Sequence, residues 1–327
     1  MIEASFPTER ATRLVRAGRI ADAYNVLDQA ASSDPGASFM LAEWRMTGSH
    51  IRRDLKEARR LYGVAARLGS ERGLDCHIAL LANGAGGIVR EWGTAMKLLS
   101  RSSVADHVTQ TSLLSRMKIG PEGLPVSVEP GKKIHETADI WSIPNFLDRR
   151  ECRYLVRAAH QRLQPSVVVH PATGQLFQDP IRQSSAAAFP FTEEKPVIHA
   201  INQRIAAATN TVYEQGEPLQ ILHYSSGQEY KLHSDALPTG QNQRLFTFLI
   251  YLNDAFTGGE TNFPRLGITH CGQPGDALMF RNVDAAGYAD PLVVHAGLPV
   301  SGGEKYLASK WIRVEPLDIS GPSGRPF

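Results

Sequence analysis

From Leu219 to Glu315 the chain breaks into short runs of β-branched and aromatic residues, split by Gly, Pro, Asn and Asp. The runs are RLFTFLIYLN (244–253), ETNFP (260–264), DALMFRN (276–282), LVVHAGLPV (292–300) and KYLASKWIRVE (305–315). Many short strands closed by turn signals, with few helices among them, predict a sandwich or a barrel.

The chain upstream has a different period. Roughly the first 110 residues carry helical spacing. Two segments align at an offset of 37: Ala42 with Ala79, Arg53-Asp54 with Arg90-Glu91, Ala58 with Ala95, Leu61 with Leu98. Gly48 falls opposite Ala85, between Gly84 and Gly86. Each copy reads as a helix, a Gly-containing turn and a second helix, with small residues where helices must approach closely. Such units bury their apolar faces only by stacking. Pro and Gly density in 104–140 marks a linker or an extended crossing segment. The expected organisation is therefore a helical repeat domain over 1–110, a linker over 111–140 and a second domain over 141–327. That second domain opens on a helix over 146–163, where Asp148 and Glu151 have the spacing of a capping box and Leu155, Val156, Ala159 and Leu163 form an apolar face. A further helical pattern spans about 196–214. The fold class is α+β.

Composition narrows the function. Hydrophobic residues make up 42% and charged residues 21% of 327, an ordinary globular balance. A formal net charge of +2 is too weak a bias to argue for a nucleic-acid or membrane partner, and neither is expected. No stretch of 18 apolar residues predicts a membrane span, and the N-terminal residues hold no apolar run of a signal type, so the expected location is the cytoplasm. Three widely spaced cysteines, Cys76, Cys152 and Cys271, fit a reducing compartment better than a disulfide framework.

Within HYSSGQEYKLHSD (223–235), His233 and Asp235 are two residues apart. On a strand over 230–235 both side chains would face one side and could meet one metal. A third ligand must come from another strand. His295, inside the apolar run 292–300, is the leading candidate, although a His in such a run is more often a core residue. Two His and one carboxylate on one face of an iron leave positions for a co-substrate and dioxygen. An anionic co-substrate also needs a buried cation, because an unpaired buried charge is costly. Lys305, ten residues after His295 on the next predicted strand, could supply it or could be a solvated surface group.

These residues resemble a known family. The His-x-Asp of YSSGQEYKLHSD, the turn GGETNFP (258–264), the distal His295 and a Lys ten residues beyond it are similar to the catalytic domain of the prolyl 4-hydroxylase branch of the Fe(II)/2-oxoglutarate dioxygenases. The likeness covers about 140–315, and DPIRQSS (179–185) adds the family's Arg-x-Ser pattern. MTGSHIRRDLKEARRLYGVAARLGS (46–70) resembles the Sel1-like branch of the tetratricopeptide repeats, which commonly supply a protein-binding surface; a helical cap is the alternative.

The resemblance implies a double-stranded β-helix, a jelly roll, with Fe(2+), 2-oxoglutarate and O2 as cofactors and ascorbate as a further candidate. It implies His233, Asp235 and His295 as iron ligands, Lys305 and Tyr251 at the C5 carboxylate of 2-oxoglutarate, and Tyr224 near its other end. Thr247 and Trp311 either line the pocket or pack in the core. Gly258-Gly259 reads as a tight turn, with Glu260 and Thr261 structural. The activity implied is peptidyl-proline 4-hydroxylation of a protein or peptide, with release of succinate and CO2. The alternatives are the same chemistry on a small molecule such as a free amino acid, and an inactive oxygenase domain in a repeat-based binding protein. The segment 164–185 is the expected carrier of substrate choice, with Arg182 contacting a peptide backbone or pairing with Asp179.

Overall fold

The computed structural model describes residues 6–169, 176–178 and 181–317. The chain divides into two compact units. One holds the residues up to Leu124 together with Phe191–Ala200; the other holds Pro125–Pro190 and Ile201–Leu317.

Among the described residues the first unit carries seven complete helices: α1 (Pro7–Arg16), α2 (Ile20–Ala30), α3 (Pro35–Thr47), α4 (Leu55–Arg67), α5 (Glu71–Asn83), α6 (Trp92–Arg101) and α7 (Ala105–Leu114). Helix starts follow the capping residues. Asp34, Asp54 and Ser70 each accept a bond from the backbone N–H three residues on, which satisfies an orphan donor of the first turn. The paired alanines of the repeat are fully buried: Ala42 and Ala79, Ala58 and Ala95.

The repeat departs from its sequence alignment at the turn. Gly48 and Gly84 are the equivalent residues, both left-handed helix caps, at φ 69° and 84°. Their N–H groups return to Trp44 and Leu80. A Cβ is disfavoured in this region, so glycine is the residue that ends both helices. The second loop is one residue longer, which restores the offset of 37 at Asp54 and Glu91, the residues that precede α4 and α6. At the far end Leu99 is buried and the aligned Leu98 only half-buried. The expected linker also begins later than its composition suggested, because 105–114 forms α7.

Phe191–Ala200 is built into this helical unit. Phe191 joins a core with Leu27, Leu41, Leu61 and Leu80. Its carbonyl accepts a bond from the Asn83 amide at 2.6 Å. Lys195 reaches Asp106 at 2.9 Å and Asp75 at 3.2 Å, and Asp75 also meets His107 at 2.6 Å. Burial raises the pKa of Asp75, but the His107 and Lys195 partners outweigh it and hold the carboxyl below its ordinary range.

The second unit carries α8 (Arg149–His160), part of α9 (Pro196–Ala208) and the strands. The strands are β1 (Lys132–Lys133), β2 (Ile140–Ile143), β3 (Gln164–Pro165), β4 (Val167–Val169), β5 (Leu176–Gln178), β6 (Ser185–Phe189), β7 (Leu219–Ser225), β8 (Tyr230–His233), β9 (Arg244–Tyr251), β10 (Phe256–Gly258), β11 (Thr261–Phe263), β12 (Ile268–His270), β13 (Ala277–Arg281), β14 (His295–Gly297) and β15 (Val300–Arg313). The large sheet runs β1-β2-β13-β9-β15-β7-β6-β3, with β10 paired to β15. The small sheet runs β12-β11-β14-β8. Every pairing is antiparallel, and the inner faces share a core of Leu249, Tyr251, Leu278 and Phe280 with Phe263. This is the expected jelly roll. The capping box of α8 is present: Asp148 accepts from Arg150 and Glu151 N–H, and Glu151 accepts from Asp148 N–H.

Four local expectations change. β8 ends at His233, so Asp235 lies beyond the strand and strand alternation does not place it. The run 292–300 is not one strand: Pro291–Val293 is a 3₁₀ turn, β14 covers three residues, and the chain enters the large sheet at Val300 after Gly297 and Pro299 break it. The helix from Pro196 stops at Ala208, and Asn210 follows at φ 52°. The segment 164–185 is more ordered than a loop where it is described, with β4 and β5 paired and β3 on β6; Asp179 lies outside the described residues. Among those residues no helix is long and apolar enough to cross a membrane.

Burial of Phe191 makes the helical unit sensitive to a residue far away in sequence. Phe191→Ala is expected to destabilise the full chain by roughly 3–5 kcal/mol, the usual cost of emptying a packed aromatic site. Urea unfolding followed by helical circular dichroism measures it, and an unchanged midpoint would refute the packing role.

Candidate metal centre

The centre is built where two strands of the small sheet face each other. His233, the last residue of β8, is the cross-strand partner of His295, the first residue of β14. Directly opposed residues of an antiparallel pair project to the same face, and the two rings lie 4.3 Å apart between centroids. Asp235 arrives from the turn after β8. Its Oδ1 is 3.6 Å from His233 Nε2 and its Oδ2 is 3.7 Å from His295 Nε2. One ligand atom from each of the three side chains lies within 4.8 Å of the others.

Backbone carbonyls set the tautomers. His233 Nδ1 is 2.8 Å from Lys231 O, and His295 Nδ1 is 3.0 Å from Val293 O. A carbonyl only accepts, so each Nδ1 carries the proton and each Nε2 presents a lone pair. Burial, reinforced by His295 beside it, pulls the His233 pKa down to about 4. Burial pushes Asp235 up, but His295, His233 and the Thr247 hydroxyl together hold it below the ordinary carboxylate range. The set brings two imidazole Nε2 atoms and one carboxylate to a common point. Such a donor set fits a divalent cation such as iron(II) and leaves coordination positions open.

The surrounding pocket is lined by Arg182, Tyr224, Tyr230, Thr261, Lys305 and Trp311, among others. Lys305 is buried, at 3% exposure, and its Nζ donates to Gly259 O at 2.6 Å. Burial pulls its pKa down to about 8, with Cys271 and Glu260 opposing. Among the described residues no carboxylate lies within ion-pair distance of it. Arg244 and Arg313, two further cations on β9 and β15, are both committed to Glu217. Gly258 and Gly259 form the expected tight turn, both at φ 71°. A Cβ on Gly258 would meet Pro299 O at 2.4 Å. The turn therefore needs glycine for space as well as for φ.

The tyrosines lie at similar distances from this cation. Lys305 Nζ is 5.5 Å from the Tyr224 ring and 5.7 Å from the Tyr251 ring. Tyr251 stands behind the pocket wall. Its hydroxyl bonds Thr261 Oγ1 at 3.0 Å and donates to His270 O at 3.1 Å. Thr261, read from sequence as structural only, is the residue of this pair that reaches the wall. Tyr224 bonds Ser184 and Arg182 side chains. Thr247 does more than pack: its hydroxyl donates to Asp235 Oδ2 at 2.7 Å. Trp311 lines the pocket with Arg244 stacked on its ring at 3.6 Å. Sequence reasoning missed the Glu217 cluster, since nothing in its spacing marks a contact that the segment just before β7 makes with β9 and β15 together.

Comparison with known proteins agrees with this geometry. The sequence model of the 2OG-Fe(II) oxygenase superfamily matches residues 219–313. Prolyl 4-hydroxylase 1 of Arabidopsis thaliana is 37% identical over 188 residues, covering 52% of this chain and 66% of that one. Prolyl 4-hydroxylase 5 of the same plant is 34% identical over 199 residues, covering 54% and 68%. The chain thus spans about two thirds of these relatives' length. Among solved structures, a viral collagen prolyl hydroxylase from Paramecium Bursaria Chlorella virus-1 is 28% identical, with a TM-score of 0.45, covering 56% of this chain and 99% of that one. With this sequence relationship and the jelly roll, the chain belongs to the prolyl 4-hydroxylase branch of the 2OG-Fe(II) oxygenase superfamily, whose chemistry uses Fe(2+), 2-oxoglutarate and O2.

Proposed function

We propose that this chain hydroxylates prolyl residues of a peptide or protein, with His233, Asp235 and His295 holding the iron. The observation that carries the reading is the convergence of these three side chains beside a buried lysine that, among the described residues, has no carboxylate partner. Iron(II), when bound, supplies the chemistry that couples decarboxylation of 2-oxoglutarate to succinate and CO2 with hydroxylation of a C–H bond.

The chain's own residues bind, orient and exclude water. His233 and His295 would offer Nε2, since each Nδ1 is tied to a carbonyl. Lys305 would take the C5 carboxylate of 2-oxoglutarate in place of the Gly259 carbonyl. Thr261 would add a hydroxyl there, with Tyr251 orienting it from behind. Tyr224 would wall the co-substrate on its other side. Arg182 faces the pocket with one buried guanidinium nitrogen lacking a hydrogen-bond partner, which suits a backbone carbonyl of a peptide. The free state of Cys76, Cys152 and Cys271 supports action in a reducing compartment. Recruitment of a protein substrate by the helical repeats belongs to the same proposal. It requires a full-length protein to be used at a lower KM than a peptide cut from it.

The direct test is succinate release against a panel of proline-containing peptides and free amino acids, with mass spectrometry for the gain of one oxygen. Hydroxylation of free amino acids alone would replace the peptide reading with a small-molecule one. Asp235→Ala is expected to abolish turnover in a folded protein, because an iron ligand is lost; normal turnover would remove Asp235 from the ligand set.

Lys305→Met should raise the 2-oxoglutarate KM by two or more orders of magnitude, since removing one partner of a buried charge pair costs ~3–5 kcal/mol. Tyr251→Phe should act in the same direction but less, through one hydrogen bond to Thr261 worth about 1 kcal/mol. An unchanged co-substrate requirement in Lys305→Met would assign the C5 carboxylate to another cation.

The pKa of Lys305 gives a pH signature. Its ammonium is the form that binds a carboxylate, and that form is lost as pH rises through about 8. Affinity for 2-oxoglutarate should be flat below that pH and fall by up to about tenfold per unit above it. Calorimetric titration of 2-oxoglutarate from neutral to alkaline pH measures this, and a flat profile throughout would contradict it.

A further inference from the structure

We infer that Asn282 is a positioning residue for the metal centre, acting through the hydroxyl of Thr247 on the carboxylate of Asp235. The inference rests on the reading of Asp235 as a ligand. Asn282 follows β13, and Thr247 lies on the adjacent β9, where it is the cross-strand partner of Phe280 in β13. Both are buried, each at 1% exposure. Thr247 Oγ1 donates to Asp235 Oδ2 at 2.7 Å, and Asn282 Nδ2 donates to Thr247 Oγ1 at 2.9 Å.

The direction of this chain of bonds follows from proton counting. A threonine hydroxyl has one proton and spare lone pairs. It could give that proton to Asp235 Oδ2 or to Asn282 Oδ1, which is 3.3 Å away. The carboxylate is ionised and closer, so its bond is the stronger one. The amide N–H of Asn282 then occupies a lone pair of Oγ1 and pins the rotor, so the proton points at Asp235 and nowhere else. Asn282 is itself anchored by its backbone: its N–H donates to Leu245 O and its carbonyl accepts from Asp290 N–H, at 2.9 Å each. Asp235 has no strand to hold it, since β8 stops at His233. The relay supplies, from the large sheet, the orientation that the small sheet gives the two histidines. Partners of this kind set the plane of a ligating carboxylate and with it the metal affinity.

The test uses Mn(II), a redox-silent probe of the iron site, with free metal read by electron paramagnetic resonance on the full chain. Thr247→Val keeps the shape and removes the hydroxyl; it is expected to weaken Mn(II) binding roughly 10- to 100-fold. Thr247→Ser restores the hydroxyl and should bind close to the unsubstituted chain. Asn282→Leu should weaken binding alone, yet add nothing in the Thr247→Val background, because its effect passes through the missing hydroxyl. Thermal melting without metal confirms that each variant folds, with Asn282→Ala replacing Asn282→Leu if the larger side chain does not fit. Losses that add in the double variant, or an unchanged affinity in Thr247→Val while Asp235→Ala binds poorly, would overturn the relay and leave the ligand assignment intact. An unchanged affinity in Asp235→Ala would overturn the ligand reading itself.

Discussion

The pairing of β8 with β14 is the constraint from which the rest of the site follows. It sets His233 opposite His295 in one antiparallel register. A slip of one residue would send one imidazole to the other face, because side chains alternate along a strand. The pairing breaks register just after this pair, between His295 and Gly297, and the chain then turns into β15. Within a few residues the fold therefore delivers a histidine to the small sheet and, further along β15, Lys305 to the large one. The spacing of ten between them is the length of chain needed to leave one sheet, turn at Gly297 to Pro299, and cross to the other.

Burying Lys305 is the second demand on the fold. An ammonium at 3% exposure with a single carbonyl partner is held against its desolvation cost, and the fall of its pKa to about 8 expresses that cost. The surrounding strands are apolar enough to sustain it: Tyr224, Tyr251 and Leu307 pack around it as part of the core between the sheets. A protein has little reason to strand a cation in such a place for stability alone, since a buried charge favours folding only when well paired. Its arrangement makes sense for a site that takes up an anion.

Much of this was legible in the sequence, and the limits were physical. His-x-Asp, the distal His295 and the spacing to Lys305 identified the convergent residues, because ligand types and separations survive in one dimension. The short runs after Leu219 pointed to a sandwich or barrel, and the family resemblance narrowed it to the jelly roll. What did not survive was anything decided by tertiary contact. Asp235 was placed by strand alternation, yet the strand ends two residues earlier and Thr247, from another sheet, holds it. The run 292–300 looked continuous because Leu, Val and Pro hide the break between two sheets. The contact between Tyr251 and Thr261 was not visible either: the tyrosine hydroxyl bonds Thr261 and His270, and the threonine lines the pocket. In the repeats, the alanines were read correctly because close helix approach requires small residues. The glycine register was missed by one, because a loop of different length shifts it without altering the helices.

The helical unit shows the same dependence on contacts that sequence order conceals. A helix-pair repeat stacks on its neighbours, and its last member needs something to cover it. Here Phe191–Ala200, more than seventy residues beyond the end of α7, is counted within that unit. Phe191 enters the core, Asn83 clamps its carbonyl, and Lys195 sits between two carboxylates. An apolar anchor, a side-chain amide on the backbone and a charge pair together seat the segment. In this chain they are satisfied by the chain itself. A surface of the repeats that recruits a partner must therefore be a different one from the surface that holds Phe191, because the latter already has its occupant.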